Sequence, residues 1–563
     1  MRKQRGFYLS IGMFMAFVLI LGSGVLYATD AAANDRLIRK IYVLTRPQAA
    51  VPDEYETCNL LVAEMQALGL SAQIKVMPWE QMADLVWYKR DAWEMTGWQM
   101  AARPERLDPD EFTFNLFHSS TAPKGYNFVG YINPEYDKVA EAQRITIDRQ
   151  KRQALIHKAQ AIAAEDVAYL FSVNQTLNYV FNNKVFAADS IKEMAGLGIK
   201  NFWSYIYADP VGEQKALICN SNDAIQASNP FFISGSVDSW ITELIWDRIM
   251  RMGEDGLPKP WAAEKVEWQN PTTVKITMRA GMKWHDGKPV TVEDVKFSFE
   301  APLTGEVPMY KPFVTNIKNI EIVDNRTLVF TLNKASAAFE TATLAKLNLA
   351  PKHIWEPIIE KLKTSPDNAE AHQEKVPIGS GPFKYGNWKF QEEFVLEANK
   401  DHFAAPKIDR WIVRIIPNME AVLGMILNGE INFLTQYVGD AQLLSQKVKA
   451  DPKLTMISSV DLGFKFIAIN HRRPPFSDKA FRRALAAVLD RQMIVDAVWK
   501  GFAVPGDSIV SPALKFWKNT NLNYPTGGNE AAKKMLKAAG YEWDKNGRLM
   551  YPKGQKETAK SPF

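Results

Sequence analysis

The sequence predicts an α/β fold that is divided into more than one lobe. Lys40–Thr45 is rich in β-forming residues, Asp53–Leu68 has the apolar spacing of a helix with one buried face, and Ala72–Met77 alternates as a strand. A strand, a helix and a strand in so short a stretch form a βαβ unit, which implies a parallel sheet with a right-handed crossover. At 563 residues the chain is also too long for a single hydrophobic core.

The same helix and strand patterns predict further elements along the chain. Alternating apolar and polar residues predict strands, and apolar residues three and four positions apart predict helices. Thr291 is a predicted helix cap, because its hydroxyl can accept hydrogen bonds from the first backbone N–H groups of a helix. The predicted elements are a helix over Gln150–Glu165, a strand over Thr273–Met278, a helix over Val292–Phe299, a strand over Thr327–Leu332 and a helix over Asn529–Ala539 that Gly540 ends.

The composition is that of an ordinary globular protein. Apolar residues make up 47% and charged residues 23% of the chain, which excludes a disordered polypeptide. The net charge is +5, and no dense Lys/Arg block follows the N-terminal segment, so the sequence predicts no nucleic-acid binding. The two cysteines, Cys58 and Cys219, have neither metal-ligand nor redox spacing, and we expect two buried free thiols.

Residues 1–33 have the pattern of an export signal. A positive start, MRKQRG, precedes an apolar run from Phe7 to Tyr27, and Ala31 and Ala33 fit the small-residue pattern of a signal-peptidase site. The run is also long enough to span a bilayer as a helix, so a retained N-terminal membrane anchor is the alternative. Both interpretations place the rest of the chain outside the cytoplasm, in the periplasm.

Three blocks between residues 249 and 491 carry a specific resemblance. The longest is Ile249–Lys296, in which IMRMGEDGLPKPWAAEKVEW is followed by a strand and then by AGMKWHDGKPVTVEDVK. The others are Pro377–Asn399, which begins with PIGSGPF, and Ile467–Arg491, which contains IAIN and FRRAL. In this order they resemble the family-5 periplasmic solute-binding proteins, the receptors of ABC importers of peptides and nickel.

A fourth block lies near the start of the chain, although its counterpart comes last in that family. It contains Gly97-Trp98, Asp108-Pro109-Asp110 and the segment Tyr131–Asp137. Residues 216–563 therefore resemble the first two-thirds of such a receptor, and residues 37–210 resemble its last third. The resemblance implies a circularly permuted order. The alternative is a chimera of two adjacent receptor genes whose halves pair between chains.

From the resemblance we expect a periplasmic-binding-protein-like fold of type II, cluster C, with two main lobes and a smaller α/β insertion lobe. Lobe I comprises residues 178–255 and 377–470, and lobe II is the insertion, residues 256–376. Lobe III comprises residues 34–177 and 471–563, so both extremities of the chain build it. In the family two strands connect lobes I and III, and the lobes close over the ligand.

The resemblance also implies a ligand site between lobes I and III. For every candidate the alternative is a plain structural role, as a ring in the core, a turn residue or a salt-bridge partner. The candidates are Trp98, Gln99 and Arg103 on lobe III, Asn220, Ser221 and Asn222 on lobe I, and Phe464 and Asn470 near the connecting strands.

Arg103 is the candidate that bears on the type of ligand. Peptide-binding members of the family place an aspartate near this position to pair with the α-amino group of the peptide, whereas here the loop has no carboxylate before Glu105. A guanidinium group binds a carboxylate or a phosphate through two parallel hydrogen bonds. We therefore expect Arg103 to bind an acidic group of the ligand, with a surface or inter-lobe salt bridge as the alternative.

Residue patterns of catalysis and of cofactor binding do not occur in the sequence. The seven histidines include no pair four residues apart, and there is no Gly-x-Ser-x-Gly, phosphate-binding Gly-Lys or dinucleotide-binding motif. The combined interpretation is a non-enzymatic, monomeric receptor that needs no cofactor or metal. It is expected to capture a peptide-like or other small polar solute and to deliver it to an ABC permease in the inner membrane. The alternative is a periplasmic chaperone-like or interaction protein on the same fold.

Overall fold

The computed structural model describes residues 35–101, 104–372 and 374–563. Strands occur along the whole of this length. They are β1 (Ile41–Thr45), β2 (Ala72–Val76), β3 (Met95–Met100), β4 (Leu170–Asn182), β5 (Ala216–Ser221), β6 (Met250–Met252), β7 (Pro258–Pro260), β8 (Ala263–Asn270), β9 (Thr273–Met278), β10 (Ile317–Ile322), β11 (Thr327–Leu332), β12 (Phe383–Lys389), β13 (Glu393–Ala398), β14 (Arg410–Ile415), β15 (Phe433–Leu434), β16 (Leu454–Val460), β17 (Phe464–Ile469), β18 (Ala503–Pro505), β19 (Glu542–Trp543) and β20 (Leu549–Met550).

Helices lie between groups of strands. The α-helices are α1 (Pro52–Ala67), α2 (Trp79–Ala83), α3 (Asp110–Asn115), α4 (Pro134–Ile145), α5 (Arg149–Asp166), α6 (Phe202–Tyr207), α7 (Ser236–Ile245), α8 (Val292–Glu300), α9 (Lys311–Val314), α10 (Lys352–Leu362), α11 (Met419–Asn428), α12 (Ala441–Lys449), α13 (Lys479–Val488), α14 (Arg491–Met493) and α15 (Gly528–Ala538). Single turns of π-helix lie at Asp84–Tyr88, Glu340–Leu344 and Ile494–Val498. Short 3-10 turns lie at Pro104–Leu107, Ser119–Thr121, Ala188–Ser190, Ala301–Leu303 and Ala369–Ala371.

Most strands belong to one large mixed sheet. Its order is β12-β13-β14-β5-β15-β4-β17-β3-β1-β2, and β16 and β18 pair with β4 beside this path. Towards one end β14 and β5 run parallel, and at the other end β1 runs parallel to both β2 and β3. Helices α1 and α7 pack on this sheet through their buried faces. The mixed α/β architecture predicted from the sequence is therefore confirmed.

Strand β4 pairs with both halves of this sheet because it is unusually long. Its start, at Leu170–Val173, pairs with β17, whereas Thr176–Asn182 pairs with β16. A second connection between the halves runs from the end of β16 to the start of β17 through residues 461–463. We call residues 173–176 and 460–464 the two crossings.

Hydrogen bonds tie the two crossings to each other. The backbone N–H of Asp461 donates to the carbonyl of Gln175 over 2.9 Å, and the side-chain amide of Gln175 donates to the Asp461 carboxylate over 2.8 Å. The side-chain amide of Asn174 donates to the Gly463 carbonyl over 2.9 Å. The two connections therefore form one bonded strip at the middle of the sheet.

The predicted βαβ unit near the start of the chain is confirmed. Strand β1 pairs in parallel with β2, with Ile41 opposite Ala72, and α1 joins them across the sheet. The buried face of α1 includes Cys58 and Leu61. Cys58 and Cys219 are both buried and free, as predicted, and burial raises the pKa of both thiols.

The first and last described segments of the chain pack against each other. Leu37 forms a β-bridge with Met550, and the backbone N–H of Glu557 donates to the carbonyl of Asp35 over 2.8 Å. The Trp543 indole N–H donates to the Leu68 carbonyl over 2.7 Å, which links the β19–β20 hairpin to the end of α1. These contacts bring sequence positions about 500 residues apart into one hydrophobic unit.

A second, smaller antiparallel sheet has the order β10-β11-β9-β8 and is covered by α8. The predicted strands over Thr273–Met278 and Thr327–Leu332 are confirmed with the bounds that the alternation gave. The predicted cap is also confirmed, since the N–H of Asp294 donates to the Thr291 hydroxyl over 3.3 Å and the N–H of Thr291 donates back to the Asp294 carboxylate over 2.8 Å.

The remaining predicted helices are present within one or two residues of their expected bounds. Gln150–Glu165 lies within α5, and Asn529–Ala539 corresponds to α15, after which Gly540 has a φ of +84°. The export signal or anchor predicted for residues 1–33 lies outside the described residues. Within the described part of the chain, no helix has the length and apolar character that a bilayer crossing requires.

Candidate functional site

Five aromatic side chains form a continuous surface beside β3, which we call the aromatic wall. Trp98 on β3 is 6% exposed, and its ring centroid lies 5.0 Å from that of Trp79 and 5.9 Å from that of Trp87. Phe128 packs behind Trp98 at 5.5 Å, and Tyr126 packs on Trp87 at 5.5 Å. Trp79 is 45% exposed and Tyr126 is 50% exposed, so these two rings form the part of the wall that faces solvent. Such rings can cover an apolar or aromatic part of a ligand.

The wall lies where three strands end. Arg46 follows β1, Trp79 follows β2, and Trp98 lies in the second half of β3. Since these strands are parallel to one another, their carboxyl ends meet at one edge, where α/β sheets hold ligands. Arg46 lies 5.6 Å from the Trp79 ring centroid and pairs with Glu54 over 2.5 Å.

Strand β3 extends beyond its pairing with β1, next to the wall. It pairs with β17 along Met95–Met100. Among the described residues, its pairing with β1 ends at Thr96. Gln99, on this stretch, is exposed. Backbone groups at an unpaired strand edge can bond an extended peptide.

A salt bridge covers the face of the sheet beside Gln99. Lys465 on β17 binds Asp53 of α1 over 2.5 Å, and its ammonium lies 4.8 Å from the Trp499 ring centroid. The space enclosed between α1, β3 and β17 here is about 10 Å³, room for at most one water molecule. A solute at this position therefore needs the covering groups to move.

The three lobe I candidates lie at the end of β5, where they bond within the protein. Asn220 is 0% exposed; its amide donates to the Gln436 carbonyl over 2.8 Å, and its side-chain oxygen accepts from the Thr435 N–H over 2.9 Å. Ser221 closes a turn, because its hydroxyl donates to the Asp223 carbonyl over 2.8 Å and accepts from the Asp223 N–H. Asn222 has an exposed side chain, and its backbone N–H donates to Gln436 Oε1.

Phe464 and Asn470 stand at the two ends of β17. Phe464 is 2% exposed and packs on Phe171 with a centroid distance of 5.5 Å. Asn470 is 0% exposed, and its amide donates to the carbonyls of Arg90 and Trp93 over 2.6 and 3.0 Å. Both side chains hold β17 against its neighbours.

The structure thus places Trp98, Gln99 and Phe464 on adjacent strands, with Trp98 on the wall side of the sheet and Gln99 on the face that α1 covers, and it places Asn220–Asn222 on the other half of the sheet. Arg103 lies outside the described residues. Sequence reasoning missed Trp79, Arg46 and Lys465. Trp79 and Arg46 could have been found from their positions directly after the two predicted parallel strands. No sequence signal pointed to Lys465, because its partners are distant in sequence.

A larger cavity, of about 150 Å³, lies between the small sheet and the segment around α5. The Asp108 carboxylate binds Arg152 through two hydrogen bonds of 2.9 and 2.5 Å and accepts a third, of 2.7 Å, from the hydroxyl of Thr341. Burial raises the pKa of Asp108, but the Arg152 guanidinium outweighs it, so this pKa lies below its usual value. The backbone N–H of Ala337 donates to the Arg144 carbonyl over 2.7 Å in the same interface.

No group of three or more His, Cys, Asp or Glu side chains in the described residues has the arrangement of a metal site. The polar atoms at the strand ends are amides, hydroxyls and paired ions. The chemistry available at this edge is therefore hydrogen bonding, ring stacking and ion pairing with a solute.

Comparisons with known proteins found several relatives of this chain. The oligopeptide-binding protein AppA of Bacillus subtilis is 28% identical over 324 residues, which are 57% of this chain and 58% of AppA. Heme-binding protein A of Haemophilus influenzae is 24% identical over 344 residues, 57% of this chain and 61% of that protein. The crystal structure of the substrate-binding protein CtaP of Listeria monocytogenes has a TM-score of 0.47 and 26% identity, covering 59% of this chain and 66% of that one.

The chain thus spans about three-fifths of the length of the relatives it matches. The family profile described as bacterial extracellular solute-binding proteins, family 5 Middle, matches residues 258–561, which is more than half of the chain. The protein belongs to the bacterial extracellular solute-binding proteins of family 5.

Proposed function

We propose that the protein is a non-enzymatic extracytoplasmic receptor of an ABC importer, which captures a short peptide or another small polar solute and delivers it to a permease. Family membership is the observation that carries this proposal. Relatives include proteins named for binding oligopeptides and heme, so the class of solute has to come from the site itself.

Capture would occur by bending at the two crossings. Lobe I (residues 178–255 and 377–470) and lobe III (residues 34–177 and 471–563) share the large sheet, and the proposed boundary at residues 177 and 178 falls inside β4. Two bonded strands that connect two halves can act as a hinge, because small backbone changes there move each half as a body. Lobe II, residues 256–376, contains the small sheet.

Contacts between lobes II and III would hold the closed state. Thr341 and Ala337 of lobe II bond Asp108, Arg152 and Arg144 of lobe III around the 150 Å³ cavity. These hydrogen bonds would break if the lobes opened. A ligand that binds the closed form more tightly than the open form shifts the population towards it.

Within the site, Trp98 and Gln99 would contact the solute, with Trp79 extending the apolar surface. The part of β3 beyond Thr96, which is not paired with β1, would bond the backbone of an extended peptide. Asn220, Ser221, Asn222, Phe464 and Asn470 would border the site and fix the strand ends, and Arg103 would bind an acidic group of the solute.

We also infer a circularly permuted chain order. Residues 258–561 match the family in sequence, while residues 35–182 supply strands β1–β4 to the same sheet from outside the matched range. The packing of the first described segment on residues 549–557 supports this order within a single chain. A molar mass of one chain in solution would support the monomer, and a mass of two chains would support the alternative in which halves pair between chains.

Thermal unfolding in the presence of separate pools of short peptides, amino acids and oligosaccharides tests the proposed receptor function. Binding to the folded state alone adds about 2.7 kcal/mol of stability at a ligand concentration 100 times Kd. We expect one pool to raise the melting temperature clearly. A chaperone-like protein, the alternative, would instead bind a reduced, unfolded protein and respond to none of the pools.

A further inference from the structure

Lys200 lies in a loop that packs against β4 and the second crossing. The loop runs from Met194 to Asn201, and the Asn201 amide closes it by donating to the Gly198 carbonyl over 2.6 Å. Gly198 has a φ of +61°, and a Cβ there would lie 2.1 Å from the ring of Tyr179 on β4. Gly196 is similarly close to Leu462, in the second crossing. The backbone of Lys200 is therefore held in place beside the hinge.

The ammonium group of Lys200 has no anionic partner in contact. Its Nζ lies 4.9 Å from the ring centroid of Trp240, and among the described residues no carboxylate lies within 4.0 Å of it. Asp461 and Cys219 are the titratable groups that face it. The Asp461 carboxylate is instead bonded by the Gln175 amide and by the Gly463 N–H, at 2.8 and 3.1 Å.

A half-buried ammonium without a partner is unfavourable, since it has lost part of its hydration and gained no counter-ion. Burial lowers the pKa of Lys200 to about 8, so the group is mostly charged at pH 7. Its three N–H donors form no hydrogen bond with the described residues. Lys200 is partly exposed, so the residue is not sealed off from solvent.

We propose that Lys200 binds a carboxylate of the transported solute, with the Trp240 ring beside it, and so selects solutes with a free carboxylate. This inference rests on the proposed receptor function and names a specificity residue for it. For a peptide solute the carboxylate would be the C-terminal one. The shared chemistry, an ammonium and an oxyanion, would also attract inorganic phosphate, which is a separate arm of the test.

The test compares each short peptide pool in two forms, with a free C-terminal carboxylate and with a C-terminal amide, by thermal unfolding and calorimetry. We expect the wild type to bind the carboxylate form at least tenfold more tightly than the amide. Lys200→Met should abolish this preference, and Lys200→Arg, which keeps the charge, should retain part of it. Lys184→Met, at an exposed lysine of the same lobe, is the matched control and should behave as the wild type.

Four outcomes would overturn the proposal. Equal binding of both forms by the wild type, or a preference that survives in Lys200→Met, removes the role of Lys200 while the receptor function stands. Stabilisation by phosphate that exceeds that by the carboxylate peptides, and that Lys200→Met removes, would mean an inorganic-anion site. No response to any pool would end the receptor function and this inference together.

Discussion

The two halves of the large sheet differ in how the candidate site residues at their strand ends are buried and bonded. At the end of β5, Asn220 is fully buried, and its amide and carbonyl groups are bonded by the protein itself. At the ends of β2 and β3, Trp79 and Gln99 are exposed, and β3 is no longer paired with β1 past Thr96. Residue type alone does not separate these roles. The two roles differ in exposure and in the number of free hydrogen-bonding groups. A side chain whose donors and acceptors are already bonded within the protein has few left to bond a solute.

The largest expected effect comes from Asn220→Ala. It leaves the Thr435 N–H and the Gln436 carbonyl without their partner in a buried site, so we expect the free energy of unfolding to fall by about 2–4 kcal/mol. Urea denaturation measures this change. Asn222→Ala, at an exposed side chain, is the control and should change stability by less than about 0.5 kcal/mol. A stable Asn220→Ala variant that has lost solute binding would reverse the comparison.

Trp79→Ala should act on binding rather than on stability. Removing a half-exposed ring from the wall loses contact area with the solute, and we expect the affinity for the best-binding pool to fall by about tenfold or more. Calorimetry gives the affinity. Tyr88→Ala, at a ring that is 82% exposed and outside the wall, should leave it unchanged. Equal losses in both variants would mean that the wall is not part of the site.

The pH dependence of stability tests the state of Lys200. Its pKa of about 8 lies below the usual value of about 10.4, so between these values the unfolded chain binds more protons than the folded one. Stability therefore rises with pH across that range, and the charged lysine is destabilising below it. Without ligand, Lys200→Met should be more stable than the wild type by about 1–3 kcal/mol at pH 7.

The difference in free energy of unfolding between Lys200→Met and the wild type should decrease as the pH rises from 8 towards 10. Asp461 and Cys219 face the ammonium, so Asp461→Asn is a second probe: it removes the nearby carboxylate and should lower the lysine pKa further. Urea denaturation of the wild type and both variants at each pH gives their free energies of unfolding. An advantage that does not vary with pH would show that packing, not charge, causes it.

The smallest expected effect concerns the contact between lobes II and III. Thr341→Val removes the hydroxyl that donates to Asp108 but keeps the shape of the side chain. We expect solute affinity to fall by about three- to tenfold, mainly through faster release, because the closed state loses one charge-assisted hydrogen bond. Stopped-flow kinetics measures release. Thr315→Val, at an exposed threonine of the same lobe, should have no effect.

Local elements were predictable from the sequence because short-range patterns determine them. The alternation over Thr273–Met278 and the Thr291 cap needed no knowledge of partners. The double pairing of β4 was not predictable, since β16 and β17 lie about 280 residues away along the chain. The site was predicted in part: Trp98 and Gln99 lie at the strand ends, whereas Trp79 and Lys200 became visible as candidates through exposure and missing partners.

We expect the two halves of the large sheet to close around a solute by bending at the two crossings. Spin labels at Lys449→Cys on α12 and Glu530→Cys on α15, both exposed positions in opposite halves, report the distance between them while the native cysteines stay buried. We predict a broad, longer distance distribution without solute and a narrow, shorter one at saturation with the best-binding pool. Identical distributions in the two states, with binding confirmed in the same sample, would show that the two halves do not close around the solute.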